Sequence, residues 1–367
     1  MDTGKHDYEP MEQRAEWIDA VPLRPPQAST EVVAIDASRD QKDLMDYFWG
    51  ALMTREMSRR VLELTEEIIT GFNAAHFSVW EWRWRCLNAL EVLSSSEGQE
   101  KEELLMMQVA TDNPKNYQLW NHRRKFAMLR GSEHVQSEMI FSRQCLAFDA
   151  KNYHAWAHRQ AMLLAFSCIE DLWLQEMEYT TLLLDDDPRN NSAWNQRIFI
   201  LEQTQQLAGI DGADSTSRFL SELSFVSQHL DKTPHNEALW SYLRRLAMLP
   251  GKGAYKRFGA RFLAMCAEAL QKDSSNVPAI EFLVDTQVAR LQDLCNELKI
   301  MVGVDMEVKK GMESKIQAVH SHTQTLLLKL VQANPIRAAY YHWYVSHIDH
   351  LARGQANTSP GSPAPLN

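Results

Sequence analysis

Three positions in this chain put a cation directly ahead of an asparagine: Lys115–Asn116, Lys151–Asn152 and Arg189–Asn190. Each opens a stretch of nearly repeated text: KNYQLWNHRR, KNYHAWAHRQ and RNNSAWNQRI. Asparagine is a good helix N-cap, because its side-chain oxygen accepts from the free N–H groups of the first turn. A cation beside that end faces the positive pole of the helix dipole, at a cost of roughly a few tenths of a kcal/mol. Three such placements are locally unfavourable. A bound anion would reverse the sign, since free N–H groups, dipole and cation would then act together. Tyr117 and Gln118 follow the first cation, and Tyr153 and His154 the second. Such groups suit a pocket that clamps an anion and adds a few directed hydrogen bonds. The competing reading is that each cation pairs with an acid close in sequence, among Asp112, Asp149 and Asp185–Asp187. Exposed pairs of this kind are common and worth little.

Other chemistry is poorly represented. The thirteen histidines are spread along the chain rather than gathered in a metal-binding spacing such as HExxH. His154 and His158, four residues apart, would be the only helical pair to consider for a metal among the repeated stretches, and no metal site is expected in this chain. No P-loop, GxGxxG or GxSxG occurs. The five cysteines form no CxxC pair, sit in apolar runs and read as reduced core thiols of a cytoplasmic protein. A self-sufficient catalytic constellation is absent from the sequence. If the chain takes part in catalysis, a partner must supply most of the chemistry.

The elements that position these residues are repeats. Aligned on Trp80, Trp120, Trp156, Trp194 and Trp240, the spacing is 40, 36, 38 and 46 residues. Four residues before each tryptophan stand His76, Asn116, Asn152, Asn190 and Asn236. Three residues after stand Arg83, Arg123, Arg159, Arg197 and, out of pattern, Leu243. Two weaker copies follow, on Asn276, Ile280 and Leu283 and on Arg337, Tyr341 and Tyr344. Offsets of 0, +4 and +7 lie on one face of a helix. Turn formers precede each start, and runs such as EELLMMQVA and SEMIFSRQCLAF supply the intervening helices. The expected fold is all-α, a right-handed superhelix of helical hairpins in a tetratricopeptide-like α-α solenoid, in which each pair needs its neighbours to bury its face. Taken alone, the repeated Trp, Arg and Asn read as core, bridge and cap.

Size and charge bound the rest. The chain has 367 residues, 45% of them hydrophobic, and a net charge of −10. That balance argues against nucleic-acid and anionic-membrane partners. No apolar run suggests a transmembrane segment or signal peptide. The expected organisation is an irregular N-terminal segment over 1–40, one repeat domain over 41–352 and a disordered Pro/Ser/Gly-rich tail over 353–367.

The repeated strings NPKNYQLWNHRR, DAKNYHAWAHRQ, RNNSAWNQR and PHNEALW, with MDYFWGALMTREMSRRVLELTEEII and EFLVD, resemble the α subunit shared by protein farnesyltransferase and type I protein geranylgeranyltransferase. The similarity runs from about Trp17 to Ile348. It implies a heterodimer with a β subunit that carries zinc, and magnesium if the complex uses it, together with the isoprenoid pocket. The reaction implied joins a farnesyl or geranylgeranyl group, from its diphosphate, to the cysteine of a C-terminal CaaX motif. By that resemblance Lys115 contacts the diphosphate and serves catalysis, and Gln118 hydrogen-bonds the peptide carboxylate. Tyr117, Asn152, Tyr153 and His154 line the substrate site. His76-Phe77 departs from the family's Asn-Tyr, which removes a cap unless His76 replaces it. Two other readings compete. A Rab geranylgeranyltransferase α subunit matches the motifs more loosely and often carries added domains. A non-catalytic helical-repeat scaffold would need neither Lys115 nor Gln118.

Overall fold

The computed structural model describes residues 8–23, 37–208, 213–249, 254–301, 303 and 305–353. The expected tail lies, beyond residue 353, outside the described residues, as does part of the GIDGADSTS stretch. Among the described residues all regular structure is helical.

The chain divides into two compact units, Met1–Glu170 and Asp171–Asn367. In the first unit, α1 (Arg39–Thr54) precedes three hairpins. These are α2 (Arg59–Glu67) with α3 (Phe77–Ala89), α4 (Ser96–Asp112) with α5 (Tyr117–Arg130), and α6 (Val135–Phe148) with α7 (Tyr153–Ala165). The second unit has four. They are α8 (Glu170–Asp186) with α9 (Asn191–Ala208), α10 (Ala213–Lys232) with α11 (Glu237–Met248), α12 (Ala254–Lys272) with α13 (Val277–Ile300), and α14 (Met306–Ala333) with α15 (Ala338–Ala352). The five strong repeats and the two weak ones are thus seven hairpins among the described residues. Within each unit the second helix of a hairpin packs on its counterpart in the next, α3 on α5 and α5 on α7 in one, α9 on α11, α11 on α13 and α13 on α15 in the other.

A repeated clip explains why Asn and Trp recur in fixed register. Each repeat Trp indole N–H donates to the backbone carbonyl six residues before it: Trp80 to Ala74, Trp120 to Pro114, Trp156 to Ala150, Trp194 to Pro188 and Trp240 to Pro234, at 2.7–2.9 Å. The next hairpin's asparagine amide donates to the same carbonyl, Asn116 to Ala74, Asn152 to Pro114, Asn236 to Pro188 and Asn276 to Pro234. The oxygen of that asparagine meanwhile caps its own helix, as Asn116 does for the N–H groups of Gln118 and Leu119. One side chain therefore starts a helix and ties it to the preceding turn.

The repeated arginines bridge hairpins, and they do so while buried. Arg83 pairs with Glu102 at 2.7 Å, Arg123 with Glu138 at 2.8 Å and Arg197 with Glu222 at 2.6 Å. Each glutamate is also met by a residue of its own hairpin: His122 on Glu102, His158 on Glu138 and Tyr242 on Glu222. Gln196 meets Glu176 in the same way. At the departure from pattern, Leu243 is fully buried in the apolar core. Its neighbour Arg244 instead reaches Asp285 at 2.7 Å and Glu281 at 3.3 Å.

Ahead of the repeats, residues 8–23 lie along α1 and α2. Met11 and Trp17 are buried, Arg14 makes a two-bond pair with Glu67, and Leu23 N–H donates to the Asp46 carbonyl at 2.9 Å.

Candidate anion-binding site

The site grows out of one type of turn. Between the helices of most hairpins the chain writes Asx, a spacer, a variable residue and the capping Asn, with Thr233 in the first slot of one turn and His76 in the last slot of another. The Asx side chain accepts the N–H two residues on: Asn73 from Ala75, Asp149 from Lys151, Asp187 from Arg189 and Asp273 from Ser275, at 2.8–3.1 Å. This closes an Asx-turn and presents the variable residue outward at the helix N-terminus. Lys115, Lys151 and Arg189 occupy that slot and are all exposed.

Lys115 and its neighbours come together within the first unit. The Lys115 ammonium lies 3.5 Å from Asp149 on the following turn, with 73% and 34% of the two side chains exposed. Pairing with a nearby acid, the competing reading of the sequence, is therefore realised for Lys115. At this exposure the pair is weak and open to exchange. Among the described residues no acid pairs with Lys151 or Arg189. His235 repeats the arrangement in the second unit, 3.2 Å from Asp273.

His154 is buried against this turn. Tyr117 meets it edge-on with ring centroids 4.3 Å apart, and Trp120 stacks beyond at 6.4 Å. Burial lowers the His154 pKa, opposed by a hydrogen bond to the Lys115 backbone. Through that hydrogen bond the imidazole helps fix the Lys115 turn. Tyr117 and Tyr153 project outward, 68% and 66% exposed, as first residues of α5 and α7. The Gln118 side chain is half-buried beside them, and nothing among the described residues ties its amide down. Asn152 differs from the others. It is buried, its oxygen caps His154 and Ala155 N–H, and its amide donates to the Pro114 carbonyl at 3.1 Å. Its place is the framework under the site. Lys115, Tyr117, Gln118, Tyr153 and His154 thus gather around two adjacent helix starts, where the exposed cation, the positive end of the helix dipole and the phenols can receive an anion.

The sequence left open whether His76 replaces the missing asparagine; it does not, since its side chain makes no capping bond to α3, and the cap is lost. His76 packs instead beside Phe48 and Trp49 and stacks on Phe77, which is 68% exposed. Cys168 is exposed rather than core, while Cys86, Cys266 and Cys295 are buried. The role of the buried histidines escaped sequence reading. A constant interval of 20 residues separates Glu102 from His122, Glu138 from His158 and Glu222 from Tyr242, and that interval was the available signal. Among the described residues no cluster could hold a metal, and no helix is long and apolar enough to cross a membrane.

The same repeats occur in known proteins. The family described as protein prenyltransferase alpha subunit repeat matches residues 100–128, 135–166 and 173–204, the hairpins around α5, α7 and α9. The protein farnesyltransferase/geranylgeranyltransferase type-1 subunit alpha of Pisum sativum is 32% identical over 352 residues, 96% of this chain and 99% of that one. Its counterpart in Arabidopsis thaliana is 32% identical over 92% of this chain and 96% of its own. Among solved structures, Candida albicans protein geranylgeranyltransferase-I complexed with GGPP shares the fold, with a TM-score of 0.69 at 22% identity, covering 92% of this chain and 99% of that one. With similarity spanning both chains almost end to end, this chain belongs to the family of protein farnesyltransferase/geranylgeranyltransferase type-1 α subunits.

Proposed function

We propose that this chain is the α subunit of a heterodimeric protein prenyltransferase and contributes Lys115 and Gln118 to its active site. The reaction moves a farnesyl or geranylgeranyl group from its diphosphate to the cysteine sulfur of a C-terminal CaaX motif. A carbon–oxygen bond to diphosphate breaks, a thioether forms and the thiol proton is lost. The observation that carries this reading is the full-length likeness to type-1 α subunits, together with an exposed Lys115 at a helix start. Lys115 would neutralise charge developing on the leaving diphosphate. Gln118, one turn-residue further in and untethered, would take the peptide's terminal carboxylate. Tyr117 and Tyr153 would wall the site, with His154 fixing the Lys115 turn beneath them. A zinc ion on the β subunit would hold the substrate sulfur as thiolate at neutral pH. The β subunit would supply the isoprenoid pocket and so select the isoprenoid. The complex would work in the cytoplasm on CaaX-terminated proteins.

Two substitutions in the assembled heterodimer test the assignment. Lys115→Ala is expected to slow single-turnover transfer by about 100- to 1,000-fold, the scale of losing one charge-stabilising donor, with assembly intact. Gln118→Ala is expected to weaken CaaX peptide binding and leave isoprenoid diphosphate binding alone. Unchanged transfer by the first variant, or equal peptide affinity for the second, contradicts the corresponding role.

A further inference from the structure

Lys115 is a flexible cation facing a rigid acid. Asp149 is fixed on every side: its N–H donates to the Cys145 carbonyl at 3.1 Å, its carbonyl receives the Asn152 N–H at 2.9 Å, and its Oδ1 accepts the Lys151 N–H at 3.1 Å. Only Oδ2 is left for Lys115, 3.5 Å away. The turn itself does not need the charge, because Asn73 closes the equivalent turn on Ala75 at 3.0 Å. Charge in this slot instead follows the slot of the preceding repeat. Asp149 follows Lys115, Asp187 follows Lys151 and Asp273 follows His235, whereas the uncharged Asn113 follows the uncharged Ala75. Of these, the Lys115–Asp149 and His235–Asp273 couples are in contact, at 3.5 and 3.2 Å, whereas no acid among the described residues pairs with Lys151, and Arg189 is followed by Thr233.

We infer that Asp149 is a positioning residue for Lys115, a tethered counter-ion that holds the ammonium at the helix start when no diphosphate is bound and competes with diphosphate for it. This rests on the reading that Lys115 contacts the diphosphate. The inference adds a function for the acid: it gives Lys115 a second resting place and so eases release of the diphosphate product.

The test uses the heterodimer with its β subunit and inorganic diphosphate as competing ligand. Asp149→Asn keeps the turn acceptor and removes only the charge. It is expected to tighten inhibition by inorganic diphosphate about two- to fivefold, the scale of an exposed ion pair, with the difference shrinking as salt is raised. In a Lys115→Ala background the same substitution is expected to have no effect, because the two residues act as one pair. Tightening of equal size in both backgrounds, or none in either while Lys115→Ala alone weakens inhibition, overturns the inference and leaves the diphosphate reading standing. If Lys115→Ala alone leaves inhibition unchanged, the diphosphate reading falls and the inference with it.

Discussion

At the scale of single residues, the chain keeps its charges in two different environments. Glu102 is buried between Arg83 and His122. Burial alone would raise its pKa, but the guanidinium, the imidazole and their hydrogen bonds more than offset that and hold it at about 2. Glu138, between Arg123 and His158, is likewise held low against its burial. A depressed carboxylate stabilises the fold fully above its unfolded pKa and loses that contribution as pH falls through its folded value. Stability is therefore expected to drop as pH is lowered from about 4.5 toward 2, and urea midpoints across that range would show it. In Glu102→Gln this acid-sensitive component should shrink, on a chain that is less stable at neutral pH because buried Arg83 keeps only the more distant, exposed Glu66 at 3.3 Å as counter-charge. An acid profile identical in wild type and variant would contradict the assignment. The exposed Lys115–Asp149 pair belongs to the other class, weak enough to open for a ligand.

Elements are governed by the clip of Asn, Trp and a shared carbonyl. Asn276 shows it in a weak repeat: its oxygen caps Ala279 N–H at 3.1 Å and its amide donates to the Pro234 carbonyl at 2.8 Å, which also receives the Trp240 indole. Asn276→Ala removes a cap and an inter-hairpin bond, and is expected to cost about 1–3 kcal/mol, read from the denaturant midpoint. A loss below a few tenths would mean that the clip is decorative. This framework was largely legible in the sequence. The Asn cap and the Trp register act within six residues of one another, so spacing alone exposes them. The glutamate ladder was not, because Arg83 finds Glu102 and Arg197 finds Glu222 across intervals of 19 and 25 residues that vary with the loop between. Fixed intervals within a hairpin, Glu138 to His158 for example, carried the signal without a hint of which partner was meant. His76 was left open for a related reason: a polar side chain in the cap slot can turn inward, and here it packs against aromatic rings. Of the candidate site, Lys115, Tyr117, Gln118, Tyr153 and His154 could be grouped from their repeat positions. The cap at Asn152 was legible too, whereas its tie to the Pro114 carbonyl required the structure.

At the scale of the whole molecule, the chain carries the marks of a subunit. The site proposed for it amounts to an anion clamp, and no cluster among the described residues could hold a metal. Phe77, Tyr117 and Tyr153 stand exposed at the same position of three successive repeats, 68%, 68% and 66% accessible. Aromatic groups left in water at repeated positions fit a surface that a partner completes. The relatives from Pisum sativum and Arabidopsis thaliana match nearly end to end and bear the name of a shared subunit. The most direct test expresses this chain alone and with candidate β subunits from its own source, and measures transfer of labelled farnesyl and geranylgeranyl groups to a CaaX peptide. The expected result is transfer only by a co-purifying pair, with the β subunit deciding which isoprenoid is used. A stable chain that binds no β subunit and supports no transfer in any combination would contradict the account.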